Sequence, residues 1–276
     1  VALLRQGWRV SVTTRSPAKA AHLQRAGFTP YLFDAESGWV GDAPDPASFT
    51  HLLLSIPPGE AGDPVLARLS DWLARTHALR GVVYLSTTGV YGDSGGAWVD
   101  ETSPLQPENT RQQRRVDAEA AWMYWVSGRA GVSLHILRLA GIYGPGRNAL
   151  ASLRDRTAHR IALEPPPFFS RIHVDDIVQS IEAVLARDLP LEVWNLCDDL
   201  PAPTSEVLAY AAQLMGVPLP DAVPLHHASV SEMARSFYGC SRRTSNRRLK
   251  EQLGIRLRYP TYREGLTALW HAMPHS

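Results

Sequence analysis

Three consecutive hydroxyl residues, Ser86, Thr87 and Thr88, follow the apolar run from Gly81 to Leu85 and lead into Gly89-Val-Tyr-Gly92. A short β-branched run of this kind reads as a buried strand. A strand that ends in hydroxyls delivers side-chain oxygens to the carboxyl edge of a sheet, where ligands bind in open α/β folds. A second group, Thr13-Thr14-Arg15-Ser16 with Lys19 beyond it, combines hydroxyls with a guanidinium and suits a phosphate. His173, Asp175 and Asp176 invite a metal or acid–base reading, but no His/Cys spacing in the chain supports zinc. The sequence around them reads instead as Asp175 capping a helix and His173 making a buried hydrogen bond. Arg242, Arg243, Arg247, Arg248 and Lys250 form the one real run of charge and read first as a solvated helix face.

The elements that must position these groups follow from composition and pattern. A chain of 276 residues holds one large or two modest domains, and a 45% hydrophobic, 20% charged composition is that of a soluble globule. A net charge of +1 creates no global field toward nucleic acid or a membrane surface, and neither is expected as a partner. Cys197 and Cys240 are too few for a disulfide framework, so a reduced, cytoplasmic setting is expected. No apolar run approaches the length that spans a bilayer.

Ala2 to Gln6 reads as the end of a helix stopped at Gly7, followed by a strand from Trp8 to Thr14. Ser16-Pro17 opens a helix to Arg25, with Gly27 as its stop. Strands are expected over residues 28–33, ending at Asp34, and over 51–56, ended by Pro57-Pro58-Gly59. Helices are expected over 63–77 and 110–127, and strands over 132–139, 171–174 and 193–197. Further helices cover 175–186, 204–215, 245–253 and 261–272. Strands alternating with helices of this length define an α/β fold, a Rossmann-like doubly wound parallel sheet. A strand and Gly-rich turn of the G-x-G-x-x-G kind would precede residue 1 in such a fold. No such motif occurs in the sequence, and a truncated start is the expectation.

In a Rossmann fold the end of the second strand selects the dinucleotide. An acidic residue there binds the ribose hydroxyls of NAD, whereas arginine accommodates the 2′-phosphate of NADP. Thr14, Arg15 and Ser16 occupy that place, so NADP is expected over NAD.

Leu85-Ser-Thr-Thr-Gly-Val-Tyr-Gly92, Leu137-Arg-Leu-Ala-Gly-Ile-Tyr-Gly-Pro-Gly-Arg147 and Ile172-His-Val-Asp-Asp-Ile177 together resemble the extended short-chain dehydrogenase/reductases, the NAD-dependent epimerase/dehydratase family. Asn195-Leu-Cys-Asp-Asp199 with Tyr259-Pro-Thr-Tyr-Arg-Glu-Gly-Leu266 resembles an atypical bacterial, YeeZ-like subgroup. The resemblance implies that Thr87 polarises a carbonyl or hydroxyl of the substrate. It also places Asp34 against the adenine amino group, and Ser55, Ile56, Pro57, Ser86, Gly141 and Ile142 along the cofactor. The residues from Gly141 to Gly146 would form a loop beside the nicotinamide. The Arg-rich run from Arg242 would contact a substrate phosphate.

The family's acid–base pair, Tyr-x-x-x-Lys, falls by position on Arg111 and Arg115. A guanidinium neither accepts a proton nor gives one up near neutrality. Arg115 in the lysine position could still hold ribose hydroxyls, and Arg111 could clamp an anionic substrate. Tyr91 is the one nearby phenol that could substitute as an acid, although in the family it is a packing residue.

The expected organisation is a Rossmann domain over 1–145 plus 171–200 and a smaller substrate lobe over 146–170 plus 201–276. The expected function is that of an NADP-linked oxidoreductase or epimerase acting on a nucleotide sugar or another hydroxylated metabolite. The alternative is a non-catalytic NADP-binding sensor that has lost the tyrosine. A homodimer through the helix over 110–127 is the assembly that the resemblance implies.

Overall fold

The structure, a computed structural model, describes residues 1–187, 190–227, 230, 232, 235 and 238–273. The chain is α/β and divides into two compact units. The first is Val1–Ser86 with Gln113–Ile136 and Val184–Glu192; the second is Thr87–Gln112 with Leu137–Ala183 and Val193–Ser276.

In the first unit the strands Ser11–Thr14 and Thr29–Asp34 pair in parallel, with Thr14 opposite Leu32. A short antiparallel strand, Gly38–Trp39, follows on the far side of Thr29–Asp34. Ser16 caps the helix Pro17–Arg25 from its side chain, with Pro17 at the first helical position, as its sequence requires. Gly27 ends that helix at φ +87°, a conformation that glycine adopts without a steric penalty.

A second sheet has the strand order Leu191–Leu196, Ser133–Leu139, Gly81–Thr87, His51–Leu54. His51–Leu54 and Gly81–Thr87 run parallel, with Leu54 opposite Tyr84. Val82, Val83 and Tyr84 are buried on successive positions, so both faces of this strand are covered. Trp122 from the helix Thr110–Ser127 is fully buried in the first unit, as are Leu73, Leu134 and Ile136. Each such side chain contributes about 1.5–3 kcal/mol on burial.

The helix expected over 63–77 is two helices, Pro64–Arg68 and Ser70–Ala74. The break falls at Leu69, with φ −118° and ψ 25°. Leu69, Trp72 and Leu73 are all buried, and the Trp72 indole donates to the Pro44 carbonyl at 2.7 Å. Tertiary anchoring of these side chains overrides a continuous helical backbone.

The second unit packs the helices Ala149–Arg154, Thr204–Met215 and Tyr262–Ala272 around Leu150, Val207, Ala211, Tyr262 and Leu266. Gly216 ends the second of these in the left-handed conformation, and Thr261 with Glu264 forms a capping box on the third. The segment expected as a loop after Ala140 is in part a strand. Gly141–Tyr143 pairs in parallel with Arg171–His173, and Gly141 N–H also donates to the Ser170 carbonyl. The helix expected over 245–253 is shorter, Arg247–Glu251, because Ser245 continues the ladder in which Arg243–Thr244 pairs with Trp98–Val99. No helix among the described residues is long and apolar enough to cross a membrane.

Candidate functional site

In the first unit, the parallel register of Ser11–Thr14 and Thr29–Asp34 brings Arg15-Ser16 and Asp34 out of the same carboxyl edge. Ser16 N–H donates to Thr14 Oγ1 at 3.2 Å, and Lys19 N–H donates to Ser16 Oγ at 3.3 Å. Both hydroxyls therefore brace the turn that presents Arg15. Arg15 is exposed and makes no hydrogen bond or ion pair among the described residues. Asp34 Oδ1 accepts from Glu36 N–H at 2.9 Å and Ser37 N–H at 3.2 Å. Those backbone bonds, with a smaller contribution from the Arg15 charge, hold its carboxyl below the ordinary range.

Ser55, Ile56 and Pro57 follow directly after the strand His51–Leu54, with Ser55 and Pro57 exposed. The loop beyond them turns at Gly59–Gly62, and Glu60 at its tip pairs with Arg114 at 3.3 Å. Asp63, which is buried, closes the loop by accepting from Val65 and Leu66 N–H.

Ser86 and Arg115 both face inward. Ser86 Oγ donates to Glu119 Oε1 at 2.5 Å, and both residues are buried. Arg115 Nη1 donates to the Tyr84 hydroxyl and to the Leu85 carbonyl, each at 3.0 Å. One guanidinium nitrogen thus ties the long helix to the strand that carries the hydroxyls. Burial pushes the Tyr84 phenol up to about 12 despite that guanidinium.

In the second unit, Thr87 caps a 3-10 turn over Thr88–Tyr91. Its Oγ1 accepts from Gly89 N–H at 3.1 Å, which leaves the threonine's own proton to donate. Gly92 closes the turn at φ +65°, where a Cβ would overlap the Gln106 carbonyl oxygen. Arg111 is exposed and makes no hydrogen bond or ion pair among the described residues.

Tyr91 is not a surface acid. It is 1% exposed, its hydroxyl donates to Asn195 Oδ1 at 2.8 Å, and it accepts from Arg138 Nη1 at 2.9 Å. Burial raises its phenol to about 12. Asn195 N–H in turn donates to Glu101 Oε1 at 2.7 Å. Glu101 carried no sequence signal of its own, and Asn195 carried one only as the first residue of the segment over 195–199. Arg138 did carry one, as the single charge inside the apolar run over residues 136–140.

Gly141 and Ile142 lie on the short strand beside Arg171–His173 and are exposed. His173 Nδ1 accepts from Asp175 N–H at 3.1 Å, so the histidine caps the helix Val174–Leu185 and Asp175 sits in its first turn. Burial lowers the His173 pKa and keeps the ring neutral. Asp176, also buried, accepts from Arg258 and Tyr259 N–H. Among the described residues no three His, Cys, Asp or Glu side chains are grouped to hold a metal.

The charge run separates into individual ties. Arg242 donates to the Gly92 carbonyl, and Arg243 donates to the Gly96 carbonyl and lies 3.7 Å over the Phe168 ring. Arg248 donates to the Val193 carbonyl, and Lys250 pairs with Asp199 at 3.0 Å. Arg243 also lines a cavity of about 320 Å³ with Asp93, Tyr238, Ser241 and the Pro165–Phe168 wall.

This fold, with its hydroxyl-ended strand in a parallel sheet, is of the Rossmann-like α/β class. Residues 66–197 match the NAD dependent epimerase/dehydratase family. The chain is 27% identical over 235 residues to Protein YeeZ of Escherichia coli K12, covering 80% of each chain. It is 47% identical to a conserved protein of unknown function from Silicibacter pomeroyi DSS, whose solved structure superposes with a TM-score of 0.87. That alignment covers 98% of this chain and 93% of the other. The fold alone is shared with the human epimerase family protein SDR39U1, solved with NADPH. There the identity is 16%, the TM-score 0.68, and the coverage 96% and 100%.

Proposed function

We propose that this protein binds NADP(H) and acts on a hydroxylated metabolite, with nucleotide sugars as the leading substrate class. The observation that carries the cofactor is Arg15, an exposed guanidinium with no protein partner among the described residues, presented beside Asp34 on one sheet edge. An arginine without a hydrogen bond or ion pair among the described residues, flanked by Thr14 and Ser16, suits a 2′-phosphate, and the strand Ser11–Thr14 itself ends in no acid to accept from a free 2′-hydroxyl. Bound NADP supplies hydride chemistry. In the first unit Ser55, Ile56 and Pro57 are the candidates for cofactor contact; in the second, Thr87 donates a hydrogen bond to a substrate oxygen, Arg111 takes an anionic group, and Gly141 and Ile142 are the candidates for cofactor contact. Two buried free cysteines fit a cytoplasmic setting, and the 83% exposed Tyr124 on the long helix fits a homodimer.

One set of observations favours a second reading, a non-catalytic NADP sensor. The phenols of Tyr84 and Tyr91 are both hydrogen-bonded and pushed up to about 12, so neither serves as the proton donor that the Tyr-x-x-x-Lys pair would supply.

Calorimetric titration with NADPH and NADH tests the cofactor, with preference for NADPH expected. No binding of either would sink both readings. Activity is tested by NADPH oxidation with aldehydes, ketones and sugar nucleotides. Oxidation that Thr87→Ala abolishes without weakening cofactor binding supports the enzyme. A thermal shift with NADP and no turnover supports the sensor.

A further inference from the structure

Arg247 is the member of the basic run that closes on no carbonyl or hydrogen-bonded carboxylate. Its contact is a 3.9 Å ion pair with Glu251, and its side chain is 76% exposed. With Trp98, Val99, Asp100 and Ser245 it lines a cavity of about 240 Å³ in the second unit. The strand pair beneath explains how these groups meet. Trp98 pairs with Arg243 and Val99 with Thr244, and Val99 and Thr244 are buried. Successive residues of a strand face opposite ways, so Trp98, Asp100 and Ser245 project from the other face. Trp98 is 59% exposed there.

Asp100 and Arg247 share this cavity but form no ion pair with each other. The carboxylate uses Oδ1 to accept from the Thr102 N–H, the Thr102 hydroxyl and the Ser103 hydroxyl. Those bonds, the Thr102 hydroxyl first, hold the Asp100 carboxyl below its ordinary range and keep it charged. Ser245 Oγ accepts from Arg247 N–H, which fixes the start of the arginine's helix. An anchored carboxylate, a guanidinium and an open indole thus face one small space without satisfying one another. A ligand that complements all three carries an ammonium, a carboxylate and a flat apolar body. At about 240 Å³ the cavity is smaller than the usual range of ligand sites, which suits a molecule smaller than a nucleotide.

We propose that this cavity binds a free amino acid with a ring side chain. Its carboxylate sits on Arg247, its ammonium on Asp100 and its ring against Trp98. The guanidinium offers a fork to the carboxylate, and the indole face attracts both a ring and a nearby cation.

Calorimetry on the whole chain tests this with L-phenylalanine, L-tyrosine and L-tryptophan. The one-charge analogues 3-phenylpropanoate and phenethylamine serve as comparison ligands. Binding of at least one amino acid is expected, weakened about tenfold by Arg247→Gln and by Asp100→Asn, the scale of one lost charged hydrogen bond. Each one-charge analogue is expected to be weaker by a similar factor. Trp98→Ala removes only an exposed side chain, so it keeps the test open should another variant fail to fold; it too is expected to weaken binding. The proposal is overturned by no heat from any of the three amino acids at millimolar concentration. Binding that survives the folded variants, or an analogue that binds as tightly as its parent, would overturn it equally.

Discussion

Arg115 on the long helix and Tyr84 on the strand Gly81–Thr87 are joined directly: Arg115 Nη1 donates to the Tyr84 hydroxyl at 3.0 Å. The same nitrogen reaches the Leu85 carbonyl at 3.0 Å, so one guanidinium attaches the helix to that strand twice. Removing it with Arg115→Met should cost about 1.5–3 kcal/mol, the worth of hydrogen bonds from a charged donor. Urea unfolding of Arg115→Met beside Tyr84→Phe measures this. The double variant should cost less than the sum of the two, because the residues touch.

Ser86 Oγ is the hydrogen-bond donor to Glu119 at 2.5 Å inside the first unit. Ser86→Ala leaves a buried carboxylate without that donor and should destabilise by about 1–3 kcal/mol. Ser86→Cys, a poorer donor of similar size, should fall between. A shift in the urea midpoint at constant slope is the readout.

Asp198 gives the chain a pH dependence of defined sign. Burial, opposed by the nearby Arg171 charge, raises its carboxyl to about 8, against 3.8 in an unperturbed chain. Folding therefore takes up a proton between those values. Its stabilising share is complete below about pH 4, falls as pH rises and is gone above about pH 8. Asp198→Asn should remove this slope and melt higher than the native protein at pH 8. Melting curves from pH 5 to 9 decide it; parallel curves for the two proteins would contradict the assignment.

Gly92 holds φ +65° against the Gln106 carbonyl. Gly92→Ala combines backbone strain with an overlap that the carbonyl cannot easily relieve. It should cost about 3 kcal/mol or more. Loss of soluble protein or a large drop in melting temperature is expected, whereas Gly95→Ala, with φ +60° but open space around its Cβ position, should be milder.

Arg15→Ala should separate the two dinucleotides. With an exposed guanidinium as the 2′-phosphate ligand, the variant loses about tenfold or more in NADPH affinity and leaves NADH affinity unchanged. Equal losses for both would place Arg15 outside the phosphate contact.

Local features of this fold were legible because short-range chemistry decides them. Ser16-Pro17 and Thr261 with Glu264 announce helix starts, Gly27 and Gly216 announce stops, and the apolar run before Ser86 announces a buried strand. The family resemblance rests on three segments of the same kind. The direction in which a side chain points was not legible. Ser86 and Thr87 are neighbours of similar chemistry, yet Ser86 turns to a carboxylate 33 residues away, while Thr87 accepts from an amide two residues on. The five basic residues from Arg242 look alike in sequence. Arg247 pairs four residues on with Glu251, whereas the partners of the other four, Gly92, Gly96, Val193 and Asp199, come from segments about 50 to 150 residues distant. Helix breaks such as the one at Leu69 belong to the same class, since burial of Trp72 and its bond to Pro44 outweigh local propensity. Hydrophobic period, caps and turn residues act over a few positions, and the sequence determined them by itself. Which polar group meets which partner depends on loops closed over long separations, and only the tertiary structure decided that.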